Sequence, residues 1–156
     1  MGSMLSGCGA AAPRGAESDV LVYCSYSATH HGGLGKDYCE LIADPGQKPK
    51  VVVRLHQGNH LDPGEVNGDF TVRKAVVADL QKQLEDANVR ALNGYQVDEQ
   101  MMGGTTYRIY MEYASGEKVN AVWFGHDIKR EALAAYSLIE RFFQPWVQQC
   151  SSHCPA

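Results

Sequence analysis

The chain has 156 residues and a formal charge of -4, with an ordinary balance of apolar and charged side chains. A chain near this length buries about 68–70% of its unfolded surface and folds as one domain without a metal. The densest basic spots are the pairs Arg73–Lys74 and Lys129–Arg130, so the basic face of a nucleic-acid binder is missing, and no run of about 18 apolar residues is available to cross a membrane.

Residues 1–17 carry no strand or helix signal. Met1-Gly2-Ser3 reads as an expression remnant, and "GAAAPRGAES" after Cys8 is small, Pro-containing and aperiodic, the character of a flexible tether. Between them, Leu5-Ser6-Gly7-Cys8 resembles the lipobox of bacterial lipoproteins. Met4 then reads as a start placed inside the signal peptide. The resemblance implies cleavage before Cys8 and acylation of that residue. It places the protein in the bacterial cell envelope, outside the cytoplasm, with the membrane as a partner through the N-terminal lipid. Two or three acyl chains anchor stably, each buried CH₂ contributing about 0.8 kcal/mol. The folded part resembles no family of known activity.

Residues 19–29 predict a strand with Val20, Val22, Cys24 and Tyr26 on one face. After the glycine-rich turn "HHGGLG", residues 36–43 predict a second strand that turns Cys39, Leu41 and Ala43 together. "DPGQKP" turns the chain into a third strand over residues 50–56, with Val51, Val53 and Leu55 aligned. Folding the first hairpin between His31 and Gly32 sets Cys24 opposite Cys39. Folding the second about Gly46 sets Leu41 opposite Val51 and Cys39 opposite Val53. The apolar faces coincide in both, as a meander requires.

Residues 57–69 read as a polar loop. Val72, Val76, Leu80 and Leu84 then recur at steps of four, an amphipathic helix capped by Asp69 or Thr71. Residues 104–113 alternate cleanly, and after "ASGEK" residues 119–125 return as the other half of a hairpin. A final helix starts near Lys129 with Leu133, Tyr136, Leu138, Ile139, Phe142 and Phe143 as its stripe, and Pro145 is expected to kink or end it. The order β-β-β-α-β-β-α predicts an α+β fold: an antiparallel sheet with both helices on one face. Residues 18–149 form a single domain, and residues 150–156 form a C-terminal tail.

Five cysteines are an odd count, which Cys8 explains by leaving two near pairs, Cys24 with Cys39 and Cys150 with Cys154. In an oxidising compartment Cys24–Cys39 is expected to form a disulfide closing a loop worth roughly 3 kcal/mol. The alternative is two reduced cysteines packed as small hydrophobes. Cys150 and Cys154 either pair to staple the tail or remain thiols.

His56, His60 and Asp62 are metal candidates by spacing. They straddle a strand end and a loop with Pro63 and Gly64, and Gln57 stands where the zincin pattern needs Glu. Surface histidines are the preferred reading, and no metal or cofactor is expected. "GGLGKD" misses the P-loop pattern at both His30 and Asp37, and no G-x-S-x-G elbow occurs. The outer strand face offers Tyr23, Tyr38, Arg54, Arg108, Tyr110 and Phe124, aromatics with Arg that suit a binding surface. The expectation is therefore a non-enzymatic binding or interaction module, for a protein or small-molecule ligand, using that face or the 57–69 loop. The alternatives are a metal-dependent or hydrolase-like envelope enzyme using His56, His60 and Asp62, and a structural envelope component.

Overall fold

The computed structural model describes residues 19–31, 35–55, 67–99 and 103–152. Seven strands form one sheet: β1 (Leu21–His30), β2 (Gly35–Ile42), β3 (Lys50–Arg54), β4 (Gly68–Thr71), β5 (Gln96–Asp98), β6 (Thr105–Tyr113) and β7 (Lys118–Phe124). Helix α1 (Lys74–Asp86) and a 3₁₀ turn (Val89–Leu92) lie between β4 and β5, and helix α2 (Arg130–Ser152) closes the described chain. The strand order is β4-β3-β2-β1-β6-β7-β5. The α+β class holds, but the sheet is mixed, because β5 runs parallel to β7 while every other pair is antiparallel. The two additional strands are the edges, four and three residues long, too short to show a period of two in sequence. Short edges also limit pairing with other chains.

β1 occupies the centre. Its core face carries Leu21, Cys24 and Tyr26, all buried. The expected phase from Val20 and Val22 is corrected by a register shift between Leu21 and Tyr23. The bulge turns Leu21 inward and leaves Val20 49% exposed. The second hairpin has the expected register, with Leu41 opposite Val51 and Cys39 opposite Val53. The first is displaced by two residues: Cys24 faces Leu41, and Cys39 faces Tyr26. A displacement of two keeps every side chain on its face, so facial pattern alone cannot detect it.

That displacement removes the expected Cys24–Cys39 disulfide. Diagonal neighbours lie about 7–8 Å apart, whereas bridged Cβ atoms need roughly 3.5–4.5 Å. Neither cysteine is bridged, and the Cys39 thiol donates to Tyr26 Oη at 3.7 Å. Burial pushes both thiols up to about 12, so they remain protonated and poorly nucleophilic. Iodoacetamide under non-reducing conditions is expected to label Cys24 and Cys39 only after denaturation. Cys24 and Cys39 both still blocked in denaturant would show a bridge and contradict this register. Cys150 is 4% exposed, and its expected partner Cys154 lies outside the described residues.

Both helices pack on the core face of the sheet. α1 buries Val77, Leu80 and Leu84. The expected cap is corrected: Asp69 and Thr71 belong to β4, and the N-cap is Arg73, with no side-chain hydrogen bond. α2 buries Ala132, Ala135, Tyr136, Ile139 and Phe143, while Leu133 is 51% exposed. Pro145 lies inside α2 without ending it. Pro145 and Arg141, whose carbonyl loses a backbone donor, are both exposed, so water can serve that carbonyl. An aromatic cluster joins sheet to helix, with Trp123 against Tyr95, Tyr107 and Tyr136.

The first described residue is clamped. Asp19 accepts from Arg90 Nη1 at 2.7 Å and from the Ser115 amide at 3.0 Å. Arg90 also binds Glu117 at 2.6 Å and Glu85 at 2.9 Å, and its guanidinium lies 3.8 Å over the Tyr113 ring. Beside it, Gln81 accepts from the Leu21 amide and donates to the Asp19 carbonyl, both at 2.9 Å.

Candidate functional site

The outward side chains of the sheet form cross-strand rows, and small residues run down the middle column. On β1 this column is Tyr23, Ser25, Ser27 and Thr29. Ser27 stands between Tyr38 on β2 and Arg108 on β6, and Ser25 stands between Glu40 and Tyr110. Large side chains flank small ones on both sides, so the rows dip at the serines. The result is a polar trough of about 330 Å³ lined by Tyr23, Ser25, Ser27, Lys36, Tyr38, Arg108, Tyr110 and Glu112.

Tyr23 closes one end. Its hydroxyl donates to Glu40 Oε1 at 2.6 Å and meets the Tyr38 hydroxyl at 2.5 Å. Its ring stands edge-on to Tyr110, with centroids 5.9 Å apart. Burial, reinforced by the Glu40 hydrogen bond, holds the Tyr23 phenol far above its ordinary range. Burial also raises Tyr38, and the Tyr110 donation to Glu112 at 2.6 Å raises Tyr110. All three phenols are therefore neutral hydrogen-bonding groups rather than nucleophiles at physiological pH. The two carboxylates of this end accept from the walls: Glu40 from Tyr23 and Glu112 from Tyr110.

The other end is cationic. Arg108 Nε donates to Asn120 Oδ1 at 2.9 Å, and its Cζ is 5.2 Å from the Tyr110 ring centroid. Lys36 Nζ lies 5.8 Å from the Tyr38 ring centroid. Among the described residues no carboxylate lies within ion-pair distance of Lys36 or Arg108. Between them sits Ser27, only 8% exposed, whose hydroxyl has no hydrogen-bond partner among the described residues. That hydroxyl opens into the trough.

Of the six outer-face residues expected to act together, Tyr23, Tyr38, Arg108 and Tyr110 line the trough. Arg54 stands just outside it, with Nε 3.9 Å from Glu40 Oε2. Phe124 is set apart: it packs on His31 at 5.1 Å beside a different hollow near β5. Sequence reasoning passed over Ser25, Ser27, Lys36, Glu40 and Glu112. The available signal was two outward serines on one strand between tyrosine-bearing neighbours. His30 and His31 act as cross-strand pins to Thr105 and Thr106. His56, His60 and Asp62 lie outside the described residues, as does most of the 57–69 loop. Among the described residues no three His, Cys, Asp or Glu side chains gather in a way that could hold a metal.

A larger, mostly apolar groove of about 720 Å³ lies between α1 and the β2–β3 turn, lined by Val20, Pro45, Pro49, Val77, Ala78 and Gln81, among others. Three of its polar side chains are engaged elsewhere: Gln81 on the β1 backbone, Glu85 on Arg90 and Lys82 on Asp86 at 3.2 Å. Convergent polar groups, the mark of a ligand site, line the trough, where Ser27, Lys36 and Arg108 come together. No protein-family model matches the chain, and no curated protein matches it in sequence.

Proposed function

We propose that the protein is a binding module of the bacterial cell envelope, tethered through a lipid on Cys8, whose outer sheet face holds a small polar ligand. The tether rests on the lipobox resemblance of Leu5-Ser6-Gly7-Cys8 and on the aperiodic segment after it. No helix of the described residues is long and apolar enough to cross a membrane, so anchoring through lipid suits the folded part. The observation that carries the ligand reading is the placement of the Ser27 hydroxyl, which has no protein partner among the described residues, between Lys36 and Arg108 on the floor of an open trough. The trough phenols Tyr23, Tyr38 and Tyr110 are held neutral, so they offer hydrogen bonds rather than an activated nucleophile.

Saturation-transfer NMR against a panel of monosaccharides, hexose phosphates, amino acids and dipeptides tests this reading. At least one probe is expected to show transfer that Ser27→Trp abolishes by filling the trough, while Lys82→Ala at the apolar groove leaves it intact. Tyr110→Ala, which opens a wall instead, is expected to weaken the same signal. Transfer that survives both trough variants, or none from any probe, would overturn the reading.

A further inference from the structure

We infer that the open end of the trough is an oxyanion subsite, and that the ligand is a saccharide bearing a carboxylate or phosphate; this rests on the outer-face reading above. Arg108 stands directly opposite Ser27 on β6, and Lys36 stands one diagonal step away on β2, paired with Thr29. With Nε held by Asn120, the Arg108 terminal nitrogens are presented in a fixed orientation, the geometry that suits a carboxylate or phosphate. Lys36 supplies a second, mobile charge, and the Ser27 hydroxyl supplies a donor between them. An apolar ligand would leave all three groups unsatisfied. A cationic one would meet two like charges.

The rest of the trough fits a hydroxylated body. Its walls belong to strands on either side of β1, so they stand about 9–10 Å apart by strand spacing. Tyr38 and Tyr110 present rings, and Ser25, which hydrogen-bonds the Tyr38 hydroxyl, adds an oxygen able to accept from a ligand hydroxyl. At about 330 Å³ the volume takes roughly one sugar ring. The charge gradient fixes orientation: the acidic end, where Tyr23 and Tyr110 bind Glu40 and Glu112, repels the anion and favours ligand hydroxyls.

The test is calorimetric titration of the intact protein with glucuronate, glucose 6-phosphate, glucose and inorganic phosphate. At least one acidic sugar is expected to bind about 10- to 100-fold more tightly than glucose, the worth of a charge-assisted hydrogen bond. A preference for glucuronate assigns a carboxylate, and a preference for glucose 6-phosphate assigns a phosphate. The surface double variant Lys36→Ala/Arg108→Gln is expected to remove the preference while keeping the weak glucose affinity, and Ser27→Ala to reduce it. Glucose binding as tightly as both acids would overturn the oxyanion subsite and leave the outer-face reading standing. Inorganic phosphate binding as tightly as the acidic sugars would overturn the saccharide. Failure of all four probes on the wild type would overturn the inference, while the Ser27→Trp comparison with the wider panel judges the broader reading separately.

Discussion

Arg90→Ala is expected to destabilise the fold by about 3 kcal/mol, the lower end of the range for removing one member of a buried ionic group. In a domain of this size that is a fall in Tm of about 6–12 °C. The side chain is 22% exposed and binds three carboxylates, Asp19, Glu85 and Glu117. Its removal leaves Asp19, with a side chain only 10% exposed, as a buried carboxylate held by the Ser115 amide. The Tyr113 ring also loses its guanidinium cover. Lysine should not restore stability, because one ammonium cannot reproduce the planar fork or the stacking.

The same group sets an acid dependence. Burial opposes the Asp19 charge, but the hydrogen bonds from Arg90 and Ser115 outweigh it and hold the carboxyl below the ordinary aspartate value. A depressed folded pKa contributes stability that is present above the unfolded value, near 4, and disappears as pH falls through the folded value. Thermal melts of wild type and Asp19→Asn between pH 7 and pH 2 check this. The variant should be less stable at neutral pH, and the gap should close on acidification.

Trp123→Ala is expected to cost about 3–5 kcal/mol, the range for a fully buried aromatic truncated in a core. Trp123 is 2% exposed and joins four elements: it sits on β7, stacks near Tyr107 of β6, touches Tyr95 just before β5, and stands edge-on to Tyr136 of α2. Its removal opens a cavity where edge strand, hairpin and helix meet, and no neighbour can fill it without leaving its own contact. Urea unfolding read by the remaining Trp146 should show a lower midpoint at unchanged slope. A loss below about 1 kcal/mol would mean that this cluster is not a packed core.

The central five strands and both helices were legible because their side chains repeat at two or at three to four residues. Leu41, Val51 and Val53 align as the pattern demands, and so do Ile109, Met111 and Val119. What escaped had physical causes. β4 and β5 are too short to show a period, and β5 pairs in parallel with a strand that follows it in sequence, a relation no local pattern encodes. The two-residue displacement of the first hairpin preserves every face, so Cys24 and Cys39 looked opposed when they are diagonal. The trough was half legible. Tyr23, Tyr38, Arg108 and Tyr110 could be read as one outward face. The hollow between them depends on Ser25 and Ser27 standing on the central strand, and the position of β1 between β2 and β6 is a tertiary fact. Pro145 shows the converse: a strong local breaker is tolerated where the residue whose carbonyl it leaves unpaired, Arg141, is exposed.

The most direct measurement of the outer-face claim is the map of backbone amide shifts as the best-binding probe is titrated into the labelled protein. Shifts are expected only within residues 23–27, 36–40 and 108–112. Shifts centred instead on Pro45, Val77 and Gln81 would place the ligand in the apolar groove and contradict that claim.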